Sequence, residues 1–233
     1  MILRKRDERF SEVLPNWKGE TAVLIGGGWS LTFDQVAMVE RARVKCIAIN
    51  NAYLLAPWAD VCYFADSHWW NDHTKGIAVP LLSLTAEQQR ERFASFAGEK
   101  CSIEGSGGNI TDPAVHMLKR KTVKGHEAFG VSTDPTALVT GRNSGFQALN
   151  LAILAGATKV ILLGFDAKVG ADGRSHLMPH RRPTPMDAYR EYQCAMKRAE
   201  KEVKELGVRV RNCSPGSAIE TWPKVSLKEA LID

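Results

Sequence analysis

Four short apolar runs, each halting at a glycine or a polar residue, constrain this chain more than any other feature. They are Thr21-Ala-Val-Leu-Ile-Gly26, Val44-Lys-Cys-Ile-Ala-Ile-Asn50, Asp60-Val-Cys-Tyr-Phe-Ala-Asp66 and Lys159-Val-Ile-Leu-Leu-Gly164. Apolar runs this short suit strands buried on both faces of a parallel sheet. Between the first two, Ser30 to Arg43 reads as a helix. Ser30 or Thr32 can cap it, and Thr32-x-x-Gln35 fits a capping box. Strand, helix, strand predicts a three-layer α/β/α, Rossmann-like, mostly parallel sheet. The expected organisation is one nucleotide-binding α/β domain over residues 1–233, with a lid or insert.

Further elements fit this plan. Asn143 or Ser144 starts a helix to about Ala155 that is apolar nearly all round, so it should be buried, with Gly156 as its stop. Met186 to Leu206 is amphipathic, Val208 to Asn212 reads as a last strand, and a short helix closes the chain from Ser226. Ile77 to Leu84 reads as a strand, and Thr85 to Ala97 as a helix capped by Thr85. Residues 102–136 are rich in glycine and basic side chains without clear periodicity, and 167–185 form a proline-bearing loop. Both are expected lid segments.

Charge bounds the partners. Lys plus Arg number 31 against 26 Asp plus Glu, a net charge of +5. Such a balance suits an anionic small ligand at least as well as nucleic acid, which nothing specifically indicates. The charge concentrates at His116 to Lys124 and at Lys168 to Arg182, where a solvated surface is the alternative to a binding role. The 5 cysteines are odd in number and no two are close, which excludes a CxxC motif and argues against a disulfide framework. No apolar run approaches the ~20 residues of a membrane span. Met1 to Asp7 carry charge with no apolar core behind them, unlike a signal peptide. A reduced, cytoplasmic protein is expected, with a homo-oligomer left open.

In open parallel sheets, ligands bind at the carboxyl ends of strands, near the point where strand order reverses. That places the chemistry at Gly26-Gly27-Gly28-Trp29-Ser30, Asn50-Asn51, Asp66, Gly164-Phe165-Asp166 and Asn212-Cys213-Ser214. The glycines allow close backbone approach to a phosphate, and a following helix N-terminus offers N–H groups to it. The run is neither GxGxxG nor a Walker loop, because position 31 is Leu and no Gly-Lys-Ser/Thr follows. Asn50 and Asn51 suit a ribose or base edge, and Asp66 suits ribose hydroxyls or Mg²⁺. Ser144 and the Gly145 amide suit phosphate, or simply a helix cap. His176-x-x-x-His180 has metal-ligand spacing, but Pro179, Pro183 and Pro185 forbid the helix that spacing needs. A histidine there fits a general base better than a zinc ligand. His68-Trp69-Trp70 is either a stacking platform or core filling.

Taken in order, these segments resemble a superfamily of bacterial lipooligosaccharide sialyltransferases, motility-associated flagellin glycosyltransferases and archaeal-type 6-hydroxymethylpterin pyrophosphokinases. Gly26-Gly-Gly-Trp-Ser-Leu31 resembles their nucleotide-site loop, Ile47-Ala-Ile-Asn50 their second strand, and Thr140-Gly-Arg-Asn-Ser-Gly145 their Thr-Ser-Gly helix start. Gly164-Phe-Asp166, Ser175-His-Leu-Met-Pro-His180 and Asn212-Cys-Ser-Pro-Gly-Ser217 resemble their Gly-x-Asp strand end, histidine loop and closing turn. The matches span roughly residues 21–220. The resemblance implies a transferase using a nucleotide-activated, CMP-sugar-like donor. Gly26, Gly27, Gly28, Ser30, Asn50, Asn51, Asp66, Ser144, Gly145, Asp166 and Ser214 would hold the nucleotide, and His180 would deprotonate the acceptor. Departures are Gly27, where the family has a phosphate-contacting Asn, Trp29 for Pro, and Ala167-Lys168 where the sialyltransferases carry tyrosines. Lys168, Arg174, Arg181 or Arg182 would then neutralise the leaving phosphate. This reading needs no cofactor. The alternatives are a Mg²⁺-dependent pyrophosphokinase with the metal on Asp66 and Asp166, and a nucleotide-binding module without catalysis.

Overall fold

The computed structural model describes residues 16–105, 110, 112–178 and 184–233. Its main sheet has eight strands: β1 (Thr21–Ile25), β2 (Lys45–Ile49), β3 (Val61–Tyr63), β4 (Glu99–Ile103), β5 (Val115–Arg120), β8 (Ala137–Leu138), β9 (Lys159–Leu163) and β10 (Arg209–Asn212). Their order is β10-β9-β1-β2-β3-β4-β5-β8, and every pairing is parallel. A small antiparallel hairpin, β6 (Thr122–Val123) and β7 (His126–Glu127), stands apart from it.

The sheet is two-faced because strand side chains alternate. Ala22, Leu24, Ile47 and Ile49 belong to one core, and Val23, Ile25, Cys46 and Ala48 to the other. The first core is covered by α4 (Ser144–Leu154) and α5 (Met186–Glu205). The second is covered by α1 (Phe33–Ala42), α2 (Ser67–Lys75), α3 (Ala86–Ala94) and α6 (Leu227–Ile232). This is the expected three-layer α/β/α architecture. Thr32 and Thr85 form full capping boxes with Gln35 and Gln88, Asn143 caps α4 by accepting from the Phe146 N–H, and Ser226 caps α6.

One expected strand is not a strand. Ile77 to Leu84 holds a 3₁₀ turn, Pro80–Leu82, closed by a single bridge between Val79 and Leu84. Pro80 lacks the N–H that a ladder needs, so the chain turns there. Part of 102–136 joins the main sheet as β5, which β8 extends just past that segment, and the separate β6-β7 hairpin within it carries Glu127. Among the described residues, no helix is long and apolar enough to cross a membrane.

The chain runs from β1 outward through β2 to one side, while β9 and β10 lie on the other. The order therefore reverses between β1 and β9, and the carboxyl ends of these two neighbours open the crevice where such sheets bind ligands.

Candidate functional site

The glycine loop continues the pairing of β1 with β9 past the ends of both strands. The Gly26 N–H donates to Leu163 C=O at 2.7 Å and the Gly28 N–H to Gly164 C=O at 2.9 Å. A side chain on Gly28 would overlap Asp166 Oδ2 and the Gly164 carbonyl, and one on Gly26 would come within 2.7 Å of the same carbonyl. Neither glycine has a positive φ. What demands glycine is the close approach of two chain segments. Gly27 differs, since a Cβ there would meet nothing nearer than His176 Cδ2 at 3.6 Å.

The same approach fixes Asp166. Its Oδ2 accepts the Ser30 N–H at 2.9 Å, and its C=O accepts the Ala218 N–H at 2.7 Å. The preceding Phe165 donates its N–H to Ser214 Oγ at 2.8 Å and accepts from Ser217 Oγ at 2.6 Å. Asp166 is 2 % exposed, and its Oδ1 has no hydrogen-bond partner among the described residues. A buried, unpartnered carboxylate oxygen is costly unless a ligand completes it. Burial raises the Asp166 pKa, with the Ser30 contact and the Lys168 charge opposing it. The folded form therefore binds its proton more tightly than the unfolded chain. Stability from this group is present in acid and is lost as pH rises through the folded pKa. We expect Asp166→Asn to leave the melting temperature at pH 7 equal or higher and to weaken binding of whatever ligand occupies the adjoining cavity. A variant destabilised at pH 7 would instead make Asp166 a structural residue.

Around this point lies a cavity of about 550 Å³ at the carboxyl edge of the sheet, a size usual for small-molecule sites. Of the residues expected from sequence, Gly26, Gly27, Gly28, Asn50, Asp66, Ser144, Gly145 and Asp166 line it. Others sit behind or beside the wall. Ser30 acts through Asp166, Ser214 through Phe165, and Asn51 accepts from Trp69 Nε1 at 2.6 Å. Lys168 is exposed and holds the Trp29 indole through its C=O at 3.2 Å. Arg174 turns back to Asp172, Nε to Oδ2 at 2.6 Å. His180, Arg181 and Arg182 lie outside the described residues.

Asp66 has a second duty, capping α2 by accepting the His68 N–H at 2.7 Å. Among the described residues, no three His, Cys, Asp or Glu side chains gather as a metal cluster. Trp69, on α2, is mostly core: it stacks on His73 at 3.9 Å between centroids and on Phe64 at 4.8 Å, with one edge on the cavity.

The structure also brings in residues that the sequence reading gave no place in the nucleotide site, although it weighed His176 as a base and quoted Arg142 in the helix-start motif. Arg120, Glu127, Arg142, Gln147, Tyr189, Tyr192 and His176 line the cavity. Arg120 closes β5, inside the basic run His116 to Lys124, so charge clustering was its signal. Arg142 sits two residues before α4 at φ 54, with Gly141 at φ 49. Tyr189 and Tyr192 lie one turn apart on α5. Tyr189 is 7 % exposed, and its hydroxyl is buried without a partner among the described residues. His176 bridges to Gly28, Leu177 donates its N–H to Gly27 C=O at 3.0 Å, and Ser175 Oγ lies 2.9 Å from His176 Nδ1. The first part of the 167–185 segment thus packs directly on the glycine loop. Trp29 pins it further, since side chains on Gly170 or Gly216 would overlap the indole.

Backbone strain concentrates here. Among the described residues, six non-glycine positions have positive φ, and Asn50, Arg142 and Ala167 among them line this one cavity. Such conformations cost of order 1–3 kcal/mol each and gather at functional sites. Electrostatically, the cavity has two sides. The amino end of α4, with its free N–H groups and dipole, favours an anion, and Arg120 and Arg142 add positive charge that Glu127 on the same wall partly offsets. Asp66 and Asp166 favour hydroxyl or amino groups.

No protein-family profile matches the chain, and no curated protein does so either. The chain is similar to two solved structures, both of the sialyltransferase CstII from Campylobacter jejuni. The complex with CMP-3FNeuAc is 9% identical, covering 89% of this chain and 86% of that one at a TM-score of 0.53. The complex with cytidine-5'-monophosphate is 11% identical, covering 90% and 86% at 0.49. At 9% identity and a TM-score of 0.53, the likeness to the CMP-3FNeuAc complex is one of fold alone.

Proposed function

We propose that this protein is a glycosyltransferase that takes a nucleotide-activated sugar of the CMP-sugar kind. The observation that carries the reading is the buried Asp166 carboxylate oxygen, without a partner among the described residues, at a cavity on the strand-order reversal that Arg120, Arg142 and the start of α4 also line. An occupant that satisfies both sides has hydroxyl groups next to a phosphate. The fold shared with a sialyltransferase whose complex holds CMP-3FNeuAc supports the same class.

In this reading the donor phosphate lies against Arg142, Arg120 and the N–H groups of Ser144 and Gly145, and Asp166 accepts from a ribose hydroxyl. Tyr63 donates its hydroxyl to Gln147 Oε1 at 3.0 Å, which orients that amide in the wall. His180 removes the proton from the acceptor hydroxyl as the acceptor oxygen bonds to the anomeric carbon. The bond from that carbon to the phosphate oxygen breaks, and the nucleotide leaves with the electron pair. Arginine charge and the Tyr189 hydroxyl, which has no partner among the described residues, stabilise the leaving phosphate, the role that the sequence reading gave to Lys168, Arg174, Arg181 or Arg182.

The test is a nucleotide panel. At 100 times its dissociation constant, CMP should stabilise the protein by about 2.7 kcal/mol, roughly 5–10 °C in melting temperature for a chain of this size. UDP, GDP and ATP should shift it less. EDTA should leave CMP binding and donor turnover intact. Loss of both with EDTA, restored by Mg²⁺, would favour the pyrophosphokinase instead, and CMP binding without turnover of any CMP-sugar would leave a binding module.

A further inference from the structure

Behind the candidate nucleotide cavity lies a second one of about 620 Å³. The two share a wall, because Glu127, Thr140 and Arg142 line both. That wall is a chain of charges. Glu127 accepts from Arg142 Nε at 3.2 Å and lies 3.6 Å from Arg120, and Arg142 Nη1 reaches Glu191 at 3.2 Å. Exposed ion pairs of this kind contribute little to stability. Their consequence is positional: Arg142 is held between the two cavities.

Helix α5 lines the second cavity with Glu191 and with two further arginines. Arg190, Cys194 and Arg198 recur every four residues along α5 and all line it. Among the described residues, no carboxylate lies within ion-pair reach of Arg190 or Arg198. The two guanidinium groups start about 12 Å apart along the helix axis. Arg198 lies over the Phe129 ring at 4.5 Å from its centroid. Phe129 is nevertheless 69 % exposed, a large aromatic left open at the cavity mouth. A cation stacked on one face of the ring keeps its N–H edges available.

We propose that this second cavity is the acceptor site and that the acceptor is an acidic sugar, bearing a carboxylate or a phosphate. The assignment rests on the glycosyltransferase reading of the neighbouring cavity. An acceptor hydroxyl must come alongside the anomeric carbon next to the donor phosphate, and the shared Arg142–Glu127 wall puts the second cavity beside that phosphate. Arg190 and Arg198 recognise the acidic group, and Phe129 packs against the apolar face of the sugar ring.

The experiment titrates galactose, galacturonic acid and galactose 6-phosphate into CMP-saturated protein, followed by NMR. Galacturonic acid or galactose 6-phosphate should bind at least tenfold more tightly than galactose, and their order distinguishes a carboxylate from a phosphate preference. The exposed double variant Arg190→Gln/Arg198→Gln should lose that tenfold, with CMP affinity changed less than twofold. A control variant that removes charge elsewhere, Arg41→Gln/Lys201→Gln, should keep it. Phe129→Ala should weaken all three sugars together. The assignment is overturned if galactose binds as tightly as the acidic sugars, or if the control variant loses as much as the arginine variant. CMP binding without arginine-dependent anion binding overturns the acceptor site alone. Failure of the wild type to bind CMP overturns the nucleotide reading, and the acceptor role with it.

Discussion

Gly28→Val should destabilise the protein by about 3 kcal/mol or more, the upper end of the range for overpacked positions. A valine there would put three carbons into space held by the Asp166 carboxylate and the Gly164 carbonyl. The Gly164 carbonyl cannot yield cheaply, because it accepts the Gly28 N–H itself. Chemical denaturation would show the loss as a lower midpoint, and a domain with 5–15 kcal/mol of total stability has little reserve against it. Gly27→Ala is the companion experiment. Its new methyl meets only His176 at 3.6 Å, so the fold should change by less than about 0.5 kcal/mol. If a donor phosphate lies against this loop, the same methyl will still lower CMP affinity. Gly27 thus reports ligand approach, and Gly28 reports the contact between β1 and β9. A stable, well-folded Gly28→Val protein would contradict that division.

His180→Ala should lower turnover by about 10²- to 10⁴-fold, the usual contribution of a general base, and leave CMP affinity nearly unchanged. The expectation rests on the resemblance of Ser175-His-Leu-Met-Pro-His180 to the sialyltransferase histidine loop. His176, four residues earlier, is tied to Gly28 and Ser175 at the cavity wall, so His176→Ala should weaken nucleotide binding more than it slows chemistry. The two effects separate in steady-state kinetics, KM against kcat. If His176→Ala instead removes turnover while His180→Ala is active, the base is the histidine at the cavity wall.

The architecture was legible in the sequence because its signals are local. Apolar runs of about five residues, the Thr32, Thr85, Asn143 and Ser226 caps and the α5 periodicity depend on neighbours within a few positions. The rule that ligands gather at strand ends then located Gly26 to Gly28, Asn50, Asp66 and Asp166 at one edge. Tertiary structure decided what each of these residues does there. Ser214 and Ser30 act on Phe165 and Asp166 across 49 and 136 residues of sequence, which no local pattern encodes. Arg120 and Arg142 reach the cavity from strand β5 and a strained loop, whereas Arg174, equally basic on paper, is turned back to Asp172, and Lys168 lies exposed with its charge acting on Asp166. A charged residue's type is written in the sequence. Whether its charge faces a ligand, a neighbouring carboxylate or water is set by which distant segment packs against it, and that is fixed only when the sheet brings β1, β5 and β9 to a common edge.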